Sequence, residues 1–225
     1  MEYNVCEIFH SIEGEGVRAG ALASFVRLAG CNLNCSYCDT QYAMDGTYNV
    51  MSTIQILENL NKSHMRRVTL TGGEPLIANG IEALVCELVR GGYEVNIETN
   101  GSVDISIITN YLRSRRYEPI KGLIFTMDYK LPSSGETDKM LSSNFAKLRP
   151  WDVLKFVVGS DDDAMHMLEV LREIPTRAQV YVGAVYGKFE LQKLAKLMID
   201  NFELKDARMQ LQLHKIIWDP NERGV

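Results

Sequence analysis

Cys31, Cys35 and Cys38 stand in the run GCNLNCSYCDT with the spacing C-x3-C-x2-C. Three thiolates so placed can hold three corners of a four-iron cluster and leave the fourth iron without a protein ligand. An iron with an open position can bind a small molecule and pass an electron to it; four cysteines would suit electron storage or transport. Zinc is the competing occupant, with Cys6 or His10 as a fourth ligand. Zinc sites usually pair two knuckles, however, and the chain has no second C-x-x-C and no H-x-x-x-H. The spacing favours the cluster.

Five cysteines in 225 residues do not suggest a disulfide framework. The opening MEYNVCEIFHS carries acidic and polar residues where a secretion signal needs a basic start and a long apolar core. A cytoplasmic location with reduced thiols is therefore expected. Composition is that of a soluble globular protein, 46% hydrophobic and 24% charged, and the length fits one domain spanning residues 1–225. No apolar run reaches the length of a membrane span. Net charge is -5 and the basic residues are scattered, with only short clusters such as Arg113, Arg115 and Arg116, which argues against direct contact with nucleic acid.

The elements that must position the cysteines follow from periodicity. Short apolar, β-branched runs at 4–9, 23–28, 67–71, 94–98, 122–127, 153–158 and 179–185 read as strands. Amphipathic stretches read as helices near 52–61, 81–90, 105–113, 162–173 and 188–202. Ser52 and Gln55 form a capping box, and Gly91-Gly92 supply a C-terminal stop. The run 131–138 reads as a loop. Strand-helix repeats imply parallel strands, about six, in an open doubly wound sheet or an incomplete barrel, with function at the C-terminal strand ends. The cysteine loop, TGGEP (71–75), TNG (99–101) and MDYK (127–130) all fall at that end. The glycines of TGGEP permit close backbone approach to a ligand. Gly14-x-Gly16-x-x-Ala19 nominally fits a dinucleotide fingerprint, but it runs into a strand where that motif must open a helix.

With the cysteine triplet, Tyr37 before its last member, and Thr71-Gly72-Gly73-Glu74-Pro75 one strand later, the chain resembles the radical S-adenosylmethionine (SAM) superfamily. The resemblance implies a reduced, partial β/α barrel, a [4Fe-4S] cluster on Cys31, Cys35 and Cys38, and SAM chelated by the open iron. Reductive cleavage of the sulfonium would give a 5′-deoxyadenosyl radical that abstracts hydrogen from substrate. Phe9–Gly16 (FHSIEGEG), Phe25–Asn32, Cys38-Asp39-Thr40, the 130–135 and 154–158 runs and Gln212-Leu-His214-Lys215 are similar to the 7-carboxy-7-deazaguanine synthases, over nearly the whole chain.

That family implies conversion of 6-carboxy-5,6,7,8-tetrahydropterin to 7-carboxy-7-deazaguanine with release of ammonia, aided by Mg2+, on the route to queuosine and other deazapurines. It implies substrate contacts from Ile12, Glu13, Gly14, Glu15, Arg27, Thr71 and His214, with Gln212 nearby. SAM contacts are expected from Tyr37, Cys38, Asp39, Gly73, Glu74, Thr99, Asp128, Tyr129 and Lys130, and a Mg2+ ligand from Thr40. A guanidinium suits a carboxylate, and a hydroxyl suits Mg2+. A flavodoxin- or ferredoxin-type electron donor and a homodimer are implied as well. The chain departs from the family pattern at Glu13, where glutamine is common, and at Tyr129, where proline often precedes the lysine; its ending Arg223-Gly224-Val225 lends no support to substrate binding by a terminal carboxylate. The nearest rival is a glycyl-radical enzyme activating protein, against which Asp39-Thr40 and Arg27 favour a small anionic substrate. A non-catalytic zinc or cluster-binding module would need neither GGEP nor TNG.

Overall fold

The computed structural model describes residues 1–44, 46–117 and 122–225. Its strands are β1 (Glu2–Ile12), β2 (Leu22–Leu28), β3 (Asn49–Ser52), β4 (Arg67–Gly72), β5 (Glu94–Thr99), β6 (Leu123–Tyr129), β7 (Val153–Val158), β8 (Gln179–Ala184) and β9 (Arg208–Met209). They form one nine-stranded sheet in the order β3-β1-β2-β4-β5-β6-β7-β8-β9. From β2 through β4 to β9 every pairing is parallel. Six longer parallel strands match the expected core, and the two-residue β9 is additional.

The first strand differs from the expectation. It is longer than residues 4–9 and antiparallel to both β2 and β3. The 13–21 segment explains this: Glu13 N–H bonds Ala21 C=O at 2.8 Å and Gly20 N–H bonds Glu13 C=O at 2.8 Å, closing a short connection that only an antiparallel pair permits. Gly16 and Gly20 take positive φ there, +71° and +83°. The edge strand β3 carries no strong periodic signal and was not expected.

Helices α1 (Thr53–Leu60), α2 (Ile81–Arg90), α3 (Ser106–Ser114), α4 (Asp161–Glu173), α5 (Leu191–Asp200) and α6 (His214–Ile217) lie close to the expected ranges, α6 being additional. The Ser52–Gln55 capping box is formed. Between β6 and β7 there are only 3-10 turns, at 132–134, 137–139 and 142–147.

Alternation along the strands sorts the two faces of the sheet. Val68 and Leu70, Val95 and Ile97, Phe125 and Met127, Leu154 and Phe156 are buried in the apolar core with Leu84, Leu88, Ile108 and Met167 of the helices. Each such side chain contributes roughly 1.5–3 kcal/mol on burial. The opposite face carries Thr69, Thr71, Asn96, Glu98, Thr126, Asp128 and Lys155. Parallel strands are usually apolar on both faces, so a polar inner face marks a site. The sheet curls around it. Gly16 N–H reaches Gln210 Oε1 at 3.0 Å and Lys155 reaches Glu15 at 2.9 Å, although β1 and β7 are far apart in the strand order.

Candidate active site

A cavity of about 930 Å³ opens on that inner face at the C-terminal ends of the strands. Its wall gathers Cys31, Cys35 and Cys38, the 12–15 turn, Arg27, Thr71, Gly73, Asp128, Lys130 and His214. The cysteine loop leaves β2 and runs against the end of β4. Here the TGGEP glycines also permit a close approach of protein to protein. A Cβ on Gly72 would lie 2.1 Å from Leu28 O, and one on Gly73 would lie 2.1 Å from Gly30 O and 2.8 Å from Cys31 Cβ. The loop can pack there only because both side chains are missing.

Burial raises the Cys31 thiol, and burial opposed in part by Lys130 pushes Cys35 up to about 11. Those two thiols are thus protonated at neutral pH without metal, and binding a metal through them must release protons. Asn100 Nδ2 lies 3.7 Å from Cys31 Sγ and 3.1 Å from Asn32 Oδ1. Sequence reasoning gives Asn100, within TNG, no role at the cysteine loop; its strand-end position is the one local signal for it.

Glu74 faces away from the cavity. Its Oε1 accepts from Leu76 N–H at 2.9 Å, and its Oε2 accepts from Asn100 N–H at 2.6 Å and the Thr99 hydroxyl at 3.0 Å. The carboxylate ties the β4 end to the β5 end, so the side chain of this expected SAM-binding residue is taken up within the fold. Tyr129, also expected at SAM, follows Asp128 on β6, so alternation sends its ring to the opposite face, against Phe145, Phe156 and His166.

On the β6–β7 side the polar groups are charged. Asp128 Oδ2 lies 3.1 Å from Lys130 Nζ and 3.2 Å from Lys155 Nζ, and Lys155 also holds Glu15 at 2.9 Å. Burial pushes Asp128 up, but the two lysines outweigh it and hold the carboxyl below its ordinary value. Its Oδ1 is buried without a hydrogen-bond partner, and so is the Tyr37 hydroxyl. Buried hydroxyls of Ser11 and Thr137 also lack partners, but neither residue lines the cavity. Sequence reasoning misses this role of Lys155, although a lone lysine in the apolar run VLKFVV signals it.

Glu13 is buried and accepts from the Thr69 hydroxyl. Burial, then the nearby Glu98, push its carboxyl up to about 7. Glu98 itself accepts from Thr71 Oγ1 at 2.7 Å. His214, at the start of α6, packs on Gly14, where a Cβ would fall 2.4 Å from its Nδ1, and burial lowers its pKa. Lys215 joins α6 to Asp39 of the cysteine loop at 2.8 Å and, against the effect of burial, keeps that carboxyl low. Thr40 donates to Asp39 at 2.9 Å. The 220–225 segment forms a further wall of the cavity.

The sequence model of the Radical SAM superfamily matches residues 26–123. The three cysteines and GGEP lie inside that span, so fold and site together define a radical SAM protein. The chain is 42% identical to the 7-carboxy-7-deazaguanine synthase of Clostridium acetobutylicum, with all of both chains covered. It is 37% identical to that of Methanospirillum hungatei over 96% of this chain and 86% of the other. The fold is similar to the crystal structure of QueE from Escherichia coli, with TM-score 0.72, 23% identity and 94% of each chain covered. The chain belongs to the 7-carboxy-7-deazaguanine synthase family.

Membership implies a [4Fe-4S] cluster and SAM. The residues fit both: three thiols share one cavity wall, and the bare Asp128 Oδ1 and Tyr37 hydroxyl beside them await hydrogen-bond partners. No helix among the described residues is long and apolar enough to cross a membrane.

Proposed function

We propose that this chain, as one domain, converts 6-carboxy-5,6,7,8-tetrahydropterin to 7-carboxy-7-deazaguanine with release of ammonia. Substrate and product differ by ammonia alone, so no net oxidant is consumed. Cys31, Cys35 and Cys38 would hold the cluster, which when bound and reduced supplies the one-electron cleavage of SAM that starts hydrogen abstraction. Tyr37, Asp128 and Lys130 would hold SAM beside it. Arg27 would anchor the substrate carboxylate, Gly14 and His214 would flank the pterin, and Glu15 would accept from its ring N–H groups. Thr40 would give a hydroxyl oxygen to Mg2+, which binds through few protein ligands and keeps the rest for substrate and water. A flavodoxin- or ferredoxin-type protein would deliver the electron, and the working form would be a cytoplasmic homodimer.

The observation that carries this reading is the meeting of the cysteine loop, the 12–15 turn and Arg27 in one cavity, in a chain with full-length relatives of this name. The test is an anaerobic assay of the iron-loaded protein with reductant, SAM and carboxytetrahydropterin. Formation of the deazaguanine acid with one ammonia per turnover is expected; SAM cleavage without that product would overturn the reading. Arg27→Ala should raise the substrate KM about tenfold, the worth of a charge-assisted hydrogen bond.

A further inference from the structure

Arg27 is held from behind. Its Nε donates to Glu7 Oε1 at 2.7 Å, and the same oxygen accepts the Tyr42 hydroxyl at 2.8 Å. The guanidinium carbon lies 5.7 Å from the ring centroids of both Phe9 and Tyr42, and Phe9 is itself stacked on Phe25 at 4.8 Å. The Arg223 guanidinium covers the Tyr42 ring at 4.0 Å. Glu7 and Arg27 are 23% and 16% exposed in their side chains, so the pair is partly withdrawn from water.

A guanidinium has two edges that can grip a carboxylate. Glu7 engages Arg27 through Nε, while the terminal amino groups make no hydrogen bond among the described residues. That leaves the terminal fork for an incoming carboxylate on the cavity side. An arginine side chain is long and flexible, so ordering its fork only on binding would cost affinity. The geometry points to Glu7, steadied by Tyr42, as a positioning residue that presents the Arg27 fork to the carboxylate of the substrate. This rests on the functional reading above. Glu7 acts through Arg27 and need not touch the substrate.

Simple charge neutralisation predicts the opposite sign. If Glu7 only balanced Arg27, removing its charge would relieve a competing anion and tighten substrate binding. Positioning by hydrogen bond predicts that Glu7→Leu raises the KM for carboxytetrahydropterin about tenfold with little change in kcat, whereas Glu7→Gln, which keeps an acceptor oxygen, raises it only about twofold. Binding of a tetrahydropterin without the 6-carboxylate should be unchanged in both. The measurements use iron-loaded protein with matched iron content and thermal midpoint.

A KM that stays within twofold or falls in Glu7→Leu, or an equal loss for the acid and for the decarboxylated analogue, overturns the inference. Should Glu7→Leu fail to fold, Tyr42→Phe removes the second bond to the same oxygen. It should raise the KM two- to threefold for the acid alone, and an unchanged KM is the overturning result. A parent protein that shows no preference for the acid removes the functional reading, and this inference with it; a parent preference that the variants leave intact removes the inference alone.

Discussion

Glu74 and Asp128 are buried carboxylates near the C-terminal ends of parallel strands, one facing away from the cavity and one lining it, and they do opposite things. Glu74 sits where β4 meets β5, and backbone N–H groups and one hydroxyl satisfy both its oxygens. No cation in the structure pairs with it at salt-bridge distance among the described residues. Asp128 sits where β6 meets β7, with two lysines on one oxygen and nothing on the other. A group whose bonding capacity is filled by its own chain holds that chain together. One left partly unfilled, at a cost in folding free energy, is available to a ligand. The comparison assigns the β4–β5 end to scaffolding of the cysteine loop and the β6–β7 end to recognition.

The largest effect that bears on this division is expected at Glu74. Glu74→Ala strands the Leu76 and Asn100 N–H groups and the Thr99 hydroxyl, at roughly 4 kcal/mol in all. Denaturant unfolding of the metal-free, reduced protein measures it. The same variant should load less iron, since Asn100 would lose its tether beside Cys31. A loss below about 1 kcal/mol would mean that water replaces the carboxylate easily, and the scaffolding role would fall.

Glu13 sharpens the contrast as an intermediate case, buried on a single hydroxyl with Glu98 nearby. Its folded pKa of about 7 lies above the ordinary 4.5. The folded state therefore holds a proton that the unfolded state gives up between those values. Its contribution to stability is complete below pH 4.5 and is lost as pH rises through about 7, a span worth about 3 kcal/mol. Glu13→Gln should match the parent at acid pH and exceed it above pH 7. Unfolding measured at both ends checks the sign, and parallel profiles would mean that Glu13 stays ionised in the fold.

Much of this was legible in the sequence for identifiable reasons. Helix 81–90 was readable because its Gly91-Gly92 stop and apolar spacing are local properties, and helix 162–173 because its amphipathic pattern is. Cys31, Cys35 and Cys38 were readable because ligand spacing is a one-dimensional signal. The antiparallel course of β1 was not, because it depends on backbone bonds between residues 13 and 20–21. Nor was the direction of Glu74, whose donors at 99 and 100 come from the next strand. The direction of the Tyr129 ring was readable, since period-2 alternation already separates it from Asp128. The Glu7–Tyr42–Arg27 cluster joins three distant stretches, and no local pattern marks it.

The smallest expected effect bears most directly on the division between the two ends. Tyr37 has a buried hydroxyl without a partner, and burial followed by the Asp128 charge raises its pKa, so it stays a neutral donor. Leaving such a group unbonded costs free energy in the ligand-free protein. Tyr37→Phe should therefore be neutral or stabilising by up to about 1 kcal/mol when no ligand is present, while weakening SAM binding to the iron-loaded protein about fivefold. Thr99→Val provides the control at the other end, because it removes a hydroxyl that Glu74 uses and should cost about 1 kcal/mol with or without SAM. Thermal unfolding and SAM titration of the two variants read both quantities. If Tyr37→Phe destabilises the ligand-free protein as Thr99→Val does, its hydroxyl is bonded within the fold, and the β6–β7 end loses the feature that sets it apart.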